Sequence, residues 1–277
     1  MFRKNIFRFG TTFFKIFLYI FMRLKFFILL MAASATLFAQ DIPVRLKVLC
    51  YNLRFGELAS MEEFANFIKE QNPDIVALQE VDCRTYRDRA PKQHGIDFST
   101  ELGFRTGMLP VYGKTIPHAG GYYGIAILSK YPLASVERIY LPKTENGKEQ
   151  RAVLVADVEY AEGKYFSFAS THLDYTNTEE RQVQVKKLNE ILLKRPYPVI
   201  VAGDFNARPN SLEISEGMSV WKVLCPQEPT APASGPRHKI DYIFCYPENK
   251  WKSIDADVIQ SQLSDHLPIS ATVELSE

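Results

Sequence analysis

From residue 45 onward the chain moves between short apolar runs and abrupt polar breaks. The stretch "RLKVLCYNLRF" (45–55) opens with alternating polar and apolar positions, which predicts a strand. Ser60-Met61-Glu62-Glu63 has the spacing of a capping box, and Phe64, Phe67 and Ile68 follow at helical intervals, so a helix is predicted over 61–71. "DIVALQE" (74–80) reads as a buried strand ending in Gln79 and Glu80, and 82–100 reads as a polar loop. Further strands are predicted at 105–111, 123–128, 134–140, 151–159 and 164–171. Val185, Leu188, Ile191 and Leu192 mark one face of a second helix within 178–194, which Pro196 closes. Strands return at 198–203, 240–245, 253–258 and 269–275. Many strands, few helices and several runs apolar on both faces predict sheets packed on each other and covered outside by helices. No repeat or linker interrupts residues 40–277, which are expected to form one catalytic domain.

The polar breaks share a pattern. In "VIVAGDFNARP" an apolar run ends at once in Asp204 and Asn206. An isolated Gly-Asp-x-Asn is an ordinary turn signal. Here it has company: strand 45–53 ends at Asn52, strand 74–80 at Glu80, and "FSFASTHLD" at Thr171, His172 and Asp174. "HKIDYIF" opens with Asp241, and "SQLSDHLPIS" supplies Asp265 and His266 just before the last strand. Six independent turns are a poor account of six apolar strands that all turn polar at one end. Loops held at one rim of a sheet are where chemistry is carried.

The motifs "YNLR", "LQEV", "STHLD", "GDFNARP", "IDYIF" and "SDHLP" resemble, in this order, those of the endonuclease/exonuclease/phosphatase superfamily, whose fold is that of deoxyribonuclease I. The resemblance spans roughly 45–275. It implies a four-layered α/β/β/α sandwich, two packed mixed β-sheets flanked by helices, and divalent-metal-dependent cleavage of a phosphoester. Such a bond is anionic and repels hydroxide, so a site must supply positive charge, a placed water and a proton for the leaving oxygen. Asn52 and Glu80 offer hard oxygen ligands suited to Mg²⁺, with Mn²⁺ as the alternative, and Asp265 is a further ligand or an acceptor behind them. By resemblance, Asp204 orients or deprotonates the attacking water, and Asn206 holds that water or a phosphate oxygen. His266, paired with Asp241, contacts the phosphate or acts as base, and His172 then fits the acid that protonates the leaving alkoxide, the division of these roles between the two histidines being left open. Arg151 binds phosphate or is a plain surface arginine. Ile125 departs from the pattern, standing where many relatives have Asn. Tyr122 and Tyr123, after Gly120-Gly121, stack on a substrate ring or simply pack, packing being favoured.

The first 39 residues change the electrostatics. They hold six basic residues and no acid, followed by an apolar or small run over 26–38 and Ala39. A basic start, a short apolar run and a small residue predict a secretory signal cut near Ala39, with Met22 a possible true start and an uncleaved anchor the minor alternative. Without them 27 Lys+Arg face 32 Asp+Glu, a formal charge of −5 instead of +1. That balance disfavours a long polyanion such as nucleic acid as the main partner. Cys50, Cys83, Cys225 and Cys245 lack C-x-x-C spacing, which excludes zinc ribbons, and Cys50 and Cys245 read as small buried residues. The expectation is an exported, monomeric phosphodiesterase or phosphatase, periplasmic or extracellular, with no stable membrane span after signal removal. It acts on a small or lipid-derived phosphoester. A secreted nuclease and a catalytically dead binding protein on the same scaffold are the alternatives.

Overall fold

The four layers follow from how the strands divide their apolar residues between two faces. In the computed structural model, which describes residues 17–23, 25 and 43–276, one six-stranded sheet contains β1 (Val44–Asn52), β2 (Ile75–Cys83), β3 (Leu109–His118), β4 (Gly121–Ser129), β11 (Trp251–Val258) and β12 (Ile269–Leu275). Its order is β11-β12-β1-β2-β4-β3. The second contains β5 (Leu133–Tyr140), β6 (Ala152–Ala161), β7 (Lys164–His172), β8 (Val199–Asp204), β9 (Lys222–Val223) and β10 (Asp241–Tyr246), in the order β5-β6-β7-β8-β10-β9. β1 pairs β2 in parallel and β12 antiparallel, and β7 pairs β8 in parallel while β10 runs antiparallel to β8, so both sheets are mixed.

Period-two alternation sorts β1. Leu46, Val48 and Cys50 join the core between the sheets, whereas Leu49 and Tyr51 join a second core with Phe64, Ile68, Phe98 and Leu102. Those last four residues come from α1 (Met61–Gln71) and α2 (Phe98–Thr106), which cover the first sheet. α3 (Thr178–Leu192) covers the second, adding Val185, Leu188 and Leu192 to the larger core. α1 starts where the capping box requires: Glu63 N–H donates to Ser60 Oγ at 3.3 Å, and Ser60 N–H donates to Glu63 Oε2 at 2.8 Å. The four cysteines are free, and Cys50 and Cys245 are buried in strands as expected.

Two expectations need correction. The stretch read as loop up to residue 100 and strand from 105 contains α2, so β3 begins only at Leu109. Asp97 caps that helix, accepting from Thr100 N–H at 3.2 Å, and Gly107 ends it at φ 72°. With only nine residues, its apolar repeat was too short to stand out from the surrounding polarity. The short α4 (Leu212–Ser215) and β9 also went unforeseen.

The predicted signal and its cut near Ala39 lie largely outside the described residues; of that segment, 17–23 and 25 are helical. Among the described residues no helix is long and apolar enough to cross a membrane. Residues 44–276 form one compact unit.

Gly203 shows how tightly the central strands meet. A Cβ there would lie 2.2 Å from the carbonyl oxygen of Thr171 on β7, so the last turn of β8 before Asp204 admits no side chain. Gly203→Ala is expected to lower unfolding stability by about 1–3 kcal/mol, read as a lower urea midpoint. An unchanged midpoint would contradict the close approach.

Candidate active site

The middle strands of both sheets end at one rim. Asn52 closes β1 opposite Gln79 of β2, and Glu80 follows in a bulge that shifts the β2–β4 register. In the second sheet His172, Asp204 and Asp241 stand side by side: His172 is in register with Asp204 across the parallel β7–β8 pair, and Asp241 across the antiparallel β8–β10 pair. Of the seven non-glycine residues with left-handed backbone among the described residues, Arg54 (φ 45°), Phe55 (φ 43°), Glu80 (φ 55°) and Asn206 (φ 50°) lie at this rim. Such conformations cost roughly 1 kcal/mol or more each and persist where surrounding contacts hold them. Asn206 is held by its N–H on Asp204 Oδ1 (2.8 Å) and by its Nδ2 donating to the Leu173 carbonyl (3.1 Å).

Asp204 is the hub. Asn52 Nδ2 donates to it and to Glu80, both at 3.1 Å. His172 Nε2 lies 3.5 Å and His266 Nε2 3.8 Å from Asp204 Oδ2. His266 Nδ1 sits 3.0 Å from Asp241 Oδ2, whose carboxylate also accepts from the buried Thr230 hydroxyl. Arg151 Nη1 donates to His172 Nδ1 at 3.1 Å. Glu80, Arg151, His172, Asp204, Asn206 and His266 line one cleft of about 370 Å³. Asp241 stands behind His266, and Asp265 binds the Arg54 guanidinium instead of facing the cleft. A larger groove of about 790 Å³ along α3 lies against none of these residues.

Identical side chains take opposite states. Burial, helped by the Arg151 and His266 charges, holds His172 well below the usual histidine range. Arg151, which only donates, occupies Nδ1, so the single ring proton sits on Nε2. In this neutral form His172 offers a hydrogen bond to a developing oxyanion, so of the two histidines left open as the proton donor His266 is the better fit. Burial also opposes charge on His266, but Asp241 and Asp204 outweigh it and lift its pKa to about 10. His266 is an imidazolium at neutral pH, suited to contact phosphate and donate a proton, not to act as base. For Asp204, burial and the Asp241 charge outweigh His266 and raise its pKa to about 7, the range of a general base. Arg151 is 2% exposed, which removes the surface-arginine reading, and it hydrogen-bonds the buried Tyr123.

A divalent cation fits this donor set. Glu80 is half-buried in the cleft wall and its pKa is raised, desolvation being the main cause, with Asn52 and His266 opposing. Among the described residues no cationic side chain forms an ion pair with it, so an external cation would offset that cost. Of the three expected ligands, Glu80 alone keeps a carboxylate oxygen without a protein partner. Asn52 turns its nitrogen to Glu80 and Asp204 while its oxygen accepts Arg54 N–H at 2.9 Å, so it braces the carboxylates. Asp265 is paired with Arg54. Asp204, Asp241 and His266 also bring potential ligand atoms within 4.8 Å of one another, but a charged His266 bound to Asp241 is a proton-holding pair. A divalent cation bound at Glu80 would supply Lewis-acid charge to phosphoryl oxygens. Asn206, its nitrogen engaged on Leu173, leaves Oδ1 as acceptor, which suits a water better than a phosphate oxygen.

Sequence reasoning missed Thr230 and the cleft residues Arg87, Arg89, His118, Glu149 and Tyr175. Arg87 and Arg89 sit in the stretch read as a polar loop, where their density was the available signal. Tyr123 is buried against Arg151, Tyr122 is half exposed with Lys114 4.6 Å from its ring, and Ile125 packs between the sheets.

Two mixed six-stranded sheets flanked by helices, with carboxylates and imidazoles gathered at one rim, define the deoxyribonuclease I-like class, a superfamily of metal-dependent phosphoester hydrolases. The chain belongs to the Endonuclease/Exonuclease/phosphatase family, whose profile matches residues 49–266. It is 26% identical over 258 residues to the uncharacterized protein YbhP of Escherichia coli (strain K12), a match covering 83% of this chain and 96% of that protein. Its fold resembles an endonuclease/exonuclease/phosphatase from Beutenbergia cavernae, with TM-score 0.71, 19% identity, and 84% and 72% of the two chains covered. It also resembles a mannosyl-6-phosphatase from Bacteroides thetaiotaomicron, with TM-score 0.65, 17% identity, and 82% and 99% covered.

The His266 charge has a measurable consequence for stability. Its folded pKa of about 10 exceeds the ordinary 6.5, so its stabilising contribution is full below pH 6.5 and lost as pH rises through about 10. In metal-free protein, the difference in unfolding midpoint between wild type and His266→Asn is expected to shrink steadily from pH 6.5 to 10. A constant difference would show that the ring is neutral.

Proposed function

We propose that the protein is an exported, divalent-metal-dependent phosphoester hydrolase that cleaves a small-molecule or lipid-derived phosphoester by metal-assisted attack of water. One observation carries this reading: a buried Asp204 with raised pKa stands in a single cleft with Glu80, Arg151, His172 and the charged His266. In this reading Asp204 takes the proton of the attacking water, which Asn206 orients. Arg151 and His266 bind phosphoryl oxygens, and neutral His172 donates a hydrogen bond where negative charge develops. His266, backed by Asp241, returns a proton to the leaving oxygen. Glu80 holds the cation, Mg²⁺ or Mn²⁺, with Asn52 fixing its carboxylate. The formal charge of −5 on residues 40–277 and the modest cleft volume favour a small substrate over a polynucleotide. Export rests on the basic, then apolar segment ending near Ala39.

Purified protein with Mg²⁺ or Mn²⁺ is expected to hydrolyse activated aryl phosphodiesters or monoesters and to lose turnover in EDTA. Asp204→Ala and His266→Ala are each expected to lower kcat by about 10²–10⁴-fold, and full activity in both would reject the assigned roles. Parallel assays on plasmid DNA test the nuclease alternative.

Expression from Met1 in a bacterial host, followed by N-terminal sequencing of the exported product, is expected to find a new terminus near Gln40. Retention of residues 1–39 on a cell-associated product would reject the cleaved-signal reading.

A further inference from the structure

The remaining charged side chains of the cleft arrive already paired. Arg87 binds Asp82 through Nε (2.6 Å) and Nη2 (3.0 Å), and its guanidinium lies 4.3 Å from the Phe55 ring and 5.1 Å from the Tyr123 ring. Arg89 binds both carboxylate oxygens of Glu57 at 2.9 and 2.6 Å. Glu149 Oε2 lies 3.4 Å from Nη2 of Arg151, the arginine assigned above to the phosphoryl group, so this pair adds no cation for a further anion. Charges that cancel in pairs leave no surplus for a second anionic group on the substrate, which would have to displace a bidentate carboxylate. The lining also lacks the continuous apolar wall that an acyl chain requires, since Ile116 is its one aliphatic side chain among the described residues.

What these pairs leave available is a set of mixed donors and acceptors. Arg87 and Arg89 keep spare N–H groups, the His118 ring lines the same cleft 6.4 Å from the Tyr123 ring, and Glu149 has a carboxylate oxygen outside its ion pair. Tyr175, 57% exposed, presents a ring 5.9 Å from the Arg151 guanidinium. Hydroxyls both donate and accept, and the C–H face of a saturated ring packs on an aromatic one, so this lining suits a hydroxyl-bearing ring.

Glu149 is held in place from behind. Its loop between β5 and β6 is fastened by Thr144, whose N–H donates to both oxygens of the buried Glu180 at 3.2 and 3.1 Å. Gly147 lies so close that a Cβ would meet Glu180 Oε1 at 2.7 Å. A carboxylate presented by a fastened loop can select hydroxyl positions.

We infer that the leaving group is neutral and polyhydroxylated, making the substrate a sugar or cyclic-polyol phosphoester whose hydroxyls are read by Glu149. This rests on the hydrolase reading above. With Mg²⁺, a hexose 6-phosphate or myo-inositol 1-phosphate is expected to show kcat/KM about tenfold or more above a hexose 1,6-bisphosphate and sphingomyelin vesicles. Glu149→Gln is expected to lower the kcat/KM ratio of sugar phosphate to p-nitrophenyl phosphate about fivefold or more, mainly through KM. Preference for the bisphosphate or the lipid, or an unchanged ratio in Glu149→Gln, overturns the inference while leaving the hydrolase reading intact. No turnover of any aryl phosphate with either metal sinks the hydrolase reading. Calorimetry of hexose 6-phosphate on Asp204→Asn then judges the leaving-group assignment by itself. Binding that weakens when Glu149→Gln is added supports it, and absent binding overturns it.

Discussion

The hydrogen bond from Asn52 to Asp204 joins the end of one sheet to the end of the other, and the site depends on it. Two sheets packed through apolar side chains alone can slide by a fraction of a residue at little cost. Fully buried polar groups cannot, because a lost partner leaves a desolvated donor or acceptor. A second such link lies just inside the first, where Gln79 Nε2 donates to Ser170 Oγ at 3.3 Å and that hydroxyl in turn meets the Leu78 carbonyl. The inter-sheet register is thus set by polar contacts at the functional end, while Leu46, Val48, Ile127 and Val155 fill the space below. Stability and placement of the reacting groups come from different parts of the same interface.

Burial then assigns the charges. His172 and His266 both lie beside Asp204, yet one is neutral and the other cationic, because Arg151 backs the first and Asp241 the second. Asp204, between two carboxylates and an imidazolium, is left close to the point where it can take a proton at neutral pH. These settings follow from which neighbour each ring nitrogen meets. The left-handed backbone at Glu80 and Asn206 belongs to the same arrangement, turning each side chain out of its strand line toward the shared rim.

The loops complete the cleft by a different principle. Arg54, Glu57 and Arg89 form a chain of ion pairs extending from Asp265 to the solvent edge, and Arg87 is clasped between rings and bound to Asp82. These groups are positioned before any substrate arrives, so binding need not order them. They shape the cleft without charging it.

Much of this was legible in the order of residues. Alternation in β1, the capping box at Ser60 and the face of Val185, Leu188 and Leu192 announced their elements because each pattern is local and repeats within a few residues. Apolar runs ending in Asn52, Glu80, His172 and Asp204, and Asp265-His266 just before the last strand, marked one rim, since a strand delivers the residues at its ends to the sheet edge wherever that strand lies. α2 escaped because nine residues carry too few helical repeats to outweigh a polar context. The pairing and protonation of Asn52, His172 and Asp265 are illegible in sequence for another reason. Whether an amide presents nitrogen or oxygen, whether an imidazole is charged, and whether a carboxylate is free depend on partners such as Arg54, Arg151 and Asp241, distant in the chain. Sequence alone therefore determined most of the strands and which polar residues reach their ends. The tertiary structure alone decided protonation and pairing, because hydrogen bonds and desolvation act through space.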